Sequence, residues 1–120
     1  MANPQKRKGD KAELEAAELI NTILRARGVS CSCQRALGAG RQQDTGDIFG
    51  LRDHVIQVAS WADTSAAAMR KPIEAMQQMA NAGANFASTF VRFRGGSWRV
   101  VLTVDQWARL VAVQQKEAMP

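Results

Sequence analysis

Histidine and cysteine are scarce in this 120-residue chain, which has one histidine, His54, and two cysteines, Cys31 and Cys33. A structural zinc site draws four ligands from such side chains, so none is expected. Two strand residues two apart point to the same face, where a mutual disulfide would be strained; both cysteines are expected as ordinary thiols in a reducing compartment. No run approaches the roughly 18 apolar residues of a membrane span. The opening Met1 to Lys8 also lacks the apolar core of a signal peptide, so a soluble, cytoplasmic protein is expected. Gly38-Ala39-Gly40 is not followed by the Lys-Ser or Lys-Thr of a phosphate-cradling loop, which argues against nucleotide binding. Internal repeats and low-complexity segments are missing as well.

What is present suits one globular domain, with 46% hydrophobic residues in a length that supports a single core. Sixteen Lys and Arg against eleven Asp and Glu leave a formal charge of +5, which favours a polyanionic partner such as nucleic acid. The densest cationic cluster is Lys6, Arg7, Lys8 and Lys11, suited to nonspecific phosphate contact. Residues 1–9 read as a basic arm and residues 10–116 as the domain.

Within the domain, Leu14, Ala17, Leu19, Ile20, Ile23 and Leu24 recur at helical spacing, with Asp10 as N-cap and Gly28 as stop. Residues 29–33 are a short strand candidate, followed by a polar loop over 36–44. Residues 47–51 and 54–60 form a hairpin turning at Arg52-Asp53, with His54 expected in an exposed position at the strand start. A helix over 64–82 places Met69, Ile73, Met76 and Met79 on one face, and Pro72 is expected to kink or restart it. Residues 86–93 and 98–103 are strands joined by Arg94-Gly95-Gly96-Ser97. On the first of them, alternation puts Phe90, Arg92 and Arg94 on one side and Val91 and Phe93 on the other. A last helix over 104–116 offers Trp107, Leu110, Val111 and Val113 for burial. The order is α-β-β-β-α-β-β-α, a mixed α/β layout with helices packed on a five-stranded sheet.

The most informative stretch is Thr45-Gly46-Asp47-Ile48-Phe49-Gly50-Leu51 with His54-Val55-Ile56-Gln57-Val58-Ala59-Ser60. Together with Lys8-Gly9, Glu13 and Gly96-Ser97-Trp98-Arg99-Val100, it resembles the archaeal-type Holliday junction resolvases of the PD-(D/E)XK nuclease superfamily over residues 6–110. The resemblance implies a restriction-endonuclease-like fold and a homodimer acting on branched or duplex DNA. It also implies hydrolysis supported by Mg²⁺ or Mn²⁺. Glu13 matches the family's helix glutamate and Asp47 the hairpin aspartate; the arginine between them is Arg35 or Arg41.

Gln57 and Ala59 stand where the family carries Glu-x-Lys. Glutamine keeps an oxygen of similar reach but removes a full charge, and Ala59 cannot neutralise charge on phosphate. A cation would then rest on Asp47, Gln57 and the Val58 carbonyl, with Glu13 nearby. Lys71 or Arg70 on the following helix could replace the missing lysine, and Arg70 is otherwise a phosphate contact. Two functions follow from the resemblance: a resolvase-type endonuclease with impaired catalysis, or an inactive nuclease-fold module that binds protein partners.

Overall fold

The computed structural model describes residues 4–36 and 44–119, with residues 4–8 described by their backbone alone. The expected loop glycines Gly38 and Gly40, the residue Arg41 and the side chains of Lys6, Arg7 and Lys8 lie outside the described residues. The elements are α1 (Pro4–Arg25), β1 (Gln34–Arg35), β2 (Ile48–Phe49), β3 (His54–Ala59), α2 (Thr64–Ala82), β4 (Phe86–Arg92), β5 (Trp98–Val101) and α3 (Val104–Ala118). They form one mixed five-stranded sheet in the order β1-β2-β3-β4-β5. Only β3 and β4 pair in parallel, His54 facing Phe86 and Ala59 facing Val91, because α2 carries the chain back to the same edge.

The sheet is covered on both faces, and period-2 alternation along β3 decides which residue meets which helix. Ile56 and Ile48 pack with Ala16, Ala17 and Ile20 of α1, together with Cys33. Val55 meets Ala75 and Met79 of α2, and Ala59 meets Ala67. Alanine dominates the α2 contact, so the helix lies close to the strands. Asp63 caps α2 by accepting from the Ala66 amide at 3.0 Å, and Gly83, at φ 65°, closes it in the left-handed conformation.

Several sequence expectations are corrected. The helix expected from Asp10 already runs from Pro4, so Asp10 is an interior residue and bonds Arg35 instead of capping. The first strand falls at 34–35 rather than 29–33, because β1 registers against Phe49 and Ile48. Pro72 does not restart α2: it lies buried inside a continuous helix, where its carbonyl accepts from Gln106 Nε2 at 3.0 Å. His54 is not an exposed loop residue. It heads β3, and its Nε2 lies 2.7 Å from Ser88 Oγ on β4. Burial holds its pKa below the usual imidazole value, against the opposing pull of Asp53.

Met69 and Ile73 are 67% and 63% exposed, and Trp107 and Val113 are exposed too, where burial was expected. The reason is the seat of α3, whose buried residue among those described is Gln106. Gln106 closes a capping box with Thr103 and reaches α2, so the helix is anchored by its first turn rather than by an apolar stripe.

Candidate active site

The candidate site lies where β2 parts from β3. Gly46, at φ 109°, brings the chain so close to β3 that an added Cβ would sit 2.9 Å from Val55 Cγ1 and 3.0 Å from the Ile56 carbonyl. Only glycine tolerates that approach. The next residue, Asp47, donates its amide to the Ile56 carbonyl at 2.8 Å and accepts the Val58 amide on Oδ2, also at 2.8 Å. Asp47 is therefore fixed against the edge of β3. In an extended strand the amide and carbonyl of one residue point to the same edge, so the Val58 carbonyl points to the β2 edge as its amide does.

Glu13 belongs to the α1 side of this edge. Its Oε2 accepts from Arg35 Nε at 3.3 Å, while Arg35 Nη2 reaches Asp10 at 2.6 Å. Burial and the nearby Asp47 charge raise the Glu13 pKa, and the Arg35 guanidinium only partly opposes them. Lys11, from the same helix turn, is exposed.

Gln57 points to the other side, toward α2, and is 2% exposed. Its Nε2 donates to Glu74 Oε2 at 3.2 Å, and Lys71 Nζ approaches the same oxygen at 3.1 Å. Lys71 Nζ also lies 5.2 Å from the centre of the Trp61 ring. Arg70, in contrast, projects into solvent. The fold thus separates the expected residues into an α1 group, Glu13 with Arg35, and an α2 group, Gln57 with Lys71. Asp47 and Val58 stand at the strand edge between them.

Glu74 was not singled out from the sequence, although Lys71 three residues earlier on a helix is a signal that could have found it. Asp44 and Gln78 were also missed. Gln78 Nε2 donates to Asp44 Oδ2 at 2.7 Å, tying the segment before Asp47 to α2.

Among the described residues, no three His, Cys, Asp or Glu side chains converge as a metal site. Gln57 Oε1 is nonetheless buried and accepts no hydrogen bond, a costly state for an amide oxygen. An amide oxygen, the Asp47 carboxylate and the Val58 carbonyl are hard oxygen donors, and they fit Mg²⁺ or Mn²⁺ in kind. With one formal charge among the three, such a set binds a divalent cation less tightly than paired carboxylates do.

No family model matches the chain, and neither a known protein nor a solved structure matches it. The topology of the fold matches the PD-(D/E)XK, restriction-endonuclease-like superfamily. The match is to that superfamily in general: a mixed five-stranded sheet between helices, with an aspartate hairpin entering the central strand. Among the described residues, no helix is long and apolar enough to cross a membrane.

Proposed function

We propose that this chain is a DNA-binding protein of the Holliday junction resolvase type, acting on branched or duplex DNA as a slow, metal-dependent endonuclease. The observation that carries this reading is the shared oxygen of Glu74. It draws Lys71 of α2 and Gln57 of β3 together, so a carboxylate and an ammonium stand beside the strand position where Glu-x-Lys is missing. Lys71 takes the cationic role that Ala59 cannot, and Glu74 returns a negative charge beside Gln57. Asp47 and Glu13 supply the carboxylates on the other side of the edge, and Arg35 keeps Glu13 in place. Asp47, Gln57 and the Val58 carbonyl would hold a divalent cation, which would supply charge neutralisation and an acidified water. As a water oxygen bonds to phosphorus and the P–O bond to the leaving strand breaks, with the water proton passing to the leaving oxygen, Lys71 meets the negative charge that grows on the phosphate. Lys11, Arg35, Arg70 and Lys71 provide phosphate contacts, and by sequence alone Lys6, Arg7, Lys8 and Arg41 are further candidates for them.

Two active sites must face two strands at a junction, so the working form is a homodimer. Met69 and Ile73 on α2 and Val104 and Trp107 on α3 are exposed and offer apolar surface for it. The same surface favours the second reading, a catalytically inactive module that docks protein partners.

Cleavage of end-labelled four-way junction and matched duplex, in Mg²⁺ and then Mn²⁺, separates the two. Slow cutting abolished by Asp47→Ala and reduced at least tenfold by Lys71→Met is the expected result; a tenfold effect corresponds to about 1.4 kcal/mol of transition-state stabilisation. Absence of cutting under either metal sinks the catalytic reading and leaves the docking module.

A further inference from the structure

At the C-terminal end of the parallel pair, two cavities of about 160 and 460 Å³ share Ser60 and Arg92, and so make one trench. Lys11 and Glu15 line its narrow part, and Trp61 and Arg94 its wide part. Three cations face one carboxylate. Glu15 is itself committed: its Oε1 accepts from Trp98 Nε1 at 2.8 Å and from Arg92 Nε at 3.3 Å. Arg94 is exposed and forms no ion pair among the described residues.

The trench adjoins the candidate active site. Ser60 follows Val58 by two residues, and Val58 is held by Asp47. Trp61 is tied to the site by Lys71 over its ring. Ligands of α/β sheets enter outside the carboxyl ends of the strands, as this trench lies. Its chemistry is that of a single-strand path, where guanidinium and ammonium groups follow the backbone and an aromatic wall receives a base. A duplex brings phosphates to the cations but keeps its base faces stacked inside, out of reach of Trp61.

We propose that this trench binds an unpaired stretch of DNA as it leaves the hairpin fork, with phosphates on Lys11, Arg92 and Arg94 and one base against Trp61. The proposal rests on the DNA-binding reading above and adds to it the strand state and the path.

Fluorescence anisotropy of the full chain with labelled oligothymidylate and with matched duplex, over a salt titration, tests it. The double variant Arg92→Gln, Arg94→Gln should flatten the salt dependence of single-strand binding by about 1.4 in log–log slope, or about 0.7 for each lost phosphate contact. Trp61→Leu should weaken single-strand binding by about 5- to 150-fold, the range for one stacked base, and duplex binding by far less. Trp61 also packs against the buried Ala59, Ala67 and Val91. If Trp61→Leu does not fold, the arginine pair decides, since both side chains lie at the surface. A chain that binds duplex but not oligothymidylate, or whose single-strand binding ignores the arginine pair, overturns the trench and leaves the DNA-binding reading standing. A chain that binds neither DNA overturns both.

Discussion

Replacing Gln57 by glutamate tests the geometry of the candidate site directly. Gln57 Nε2 lies 3.2 Å from Glu74 Oε2, so the substitution puts a second carboxylate oxygen where a donor now sits. Two charges at that separation repel by about 5 kcal/mol at an effective dielectric constant of about 20. The protein escapes part of this by protonating one carboxyl, which at neutral pH costs about 1.36 kcal/mol for each pH unit above about 4.3, or roughly 3.7 kcal/mol. Lys71, 3.1 Å from the same Glu74 oxygen, offsets some of the remainder. A destabilisation of about 2 to 4 kcal/mol follows, or a fall in Tm of roughly 10 to 15 °C for a domain of this size. The introduced carboxyl has its folded pKa raised, so the penalty is absent below about pH 4.3, grows as pH rises toward the folded pKa, and is full above it.

A divalent cation reverses the effect, because it binds the folded state with two carboxylates in place of one. The assay is thermal unfolding of Gln57→Glu beside the parent, first in chelator and then with Mn²⁺. Recovery of most of the lost Tm, with a much smaller response from the parent, is expected. A variant as stable as the parent in chelator would show that Gln57 does not face Glu74. A loss of Tm that Mn²⁺ cannot recover would show that the fork is no cation site.

Gly50 tests the packing of the hairpin on the segment before β1. It has φ 125°, and an added Cβ would lie 2.7 Å from the Ser32 carbonyl oxygen and 2.9 Å from Cys33 Cα, both backbone atoms. Gly50→Ala should cost about 2 to 5 kcal/mol from backbone strain plus overpacking, read as a lower denaturant midpoint at constant slope; an unchanged midpoint would refute the contact. Glu13→Gln should act in the opposite direction. Because burial and the Asp47 charge hold the folded pKa of Glu13 above the usual carboxylate value, its charged form costs stability that appears as pH rises from that usual value to the folded pKa. The variant should therefore melt higher than the parent at neutral pH and alike in acid, while cutting DNA more slowly. A lower Tm at neutral pH would mean that the Arg35 pairing outweighs burial.

The local signals in this chain were strong where one residue type enforces one geometry. The strand pattern along 54–60 and the glycine before Asp47 are short-range constraints, and the mixed α/β order follows from such local signals. The first helix and first strand were misplaced because their boundaries depend on partners far along the chain. Asp10 is held by Arg35, and β1 exists only where Phe49 and Ile48 register against it. Trp107 and Ile73 show the same limit from the other side. Helical spacing marks an apolar face, but whether anything covers it depends on where Gln106 anchors α3.

By itself, the sequence determined that residues 55, 57 and 59 share one face of β3 and that Asp47 starts the hairpin. Only the tertiary structure decided that this face meets α2 while Glu13 belongs to α1, that Lys71 rather than Arg70 turns inward, and that Glu74 joins it at Gln57. The reason is physical. Alternation and helical period are properties of a single backbone segment, whereas the helix that covers a given face is chosen by the packing of the whole β3-α2-β4 crossover.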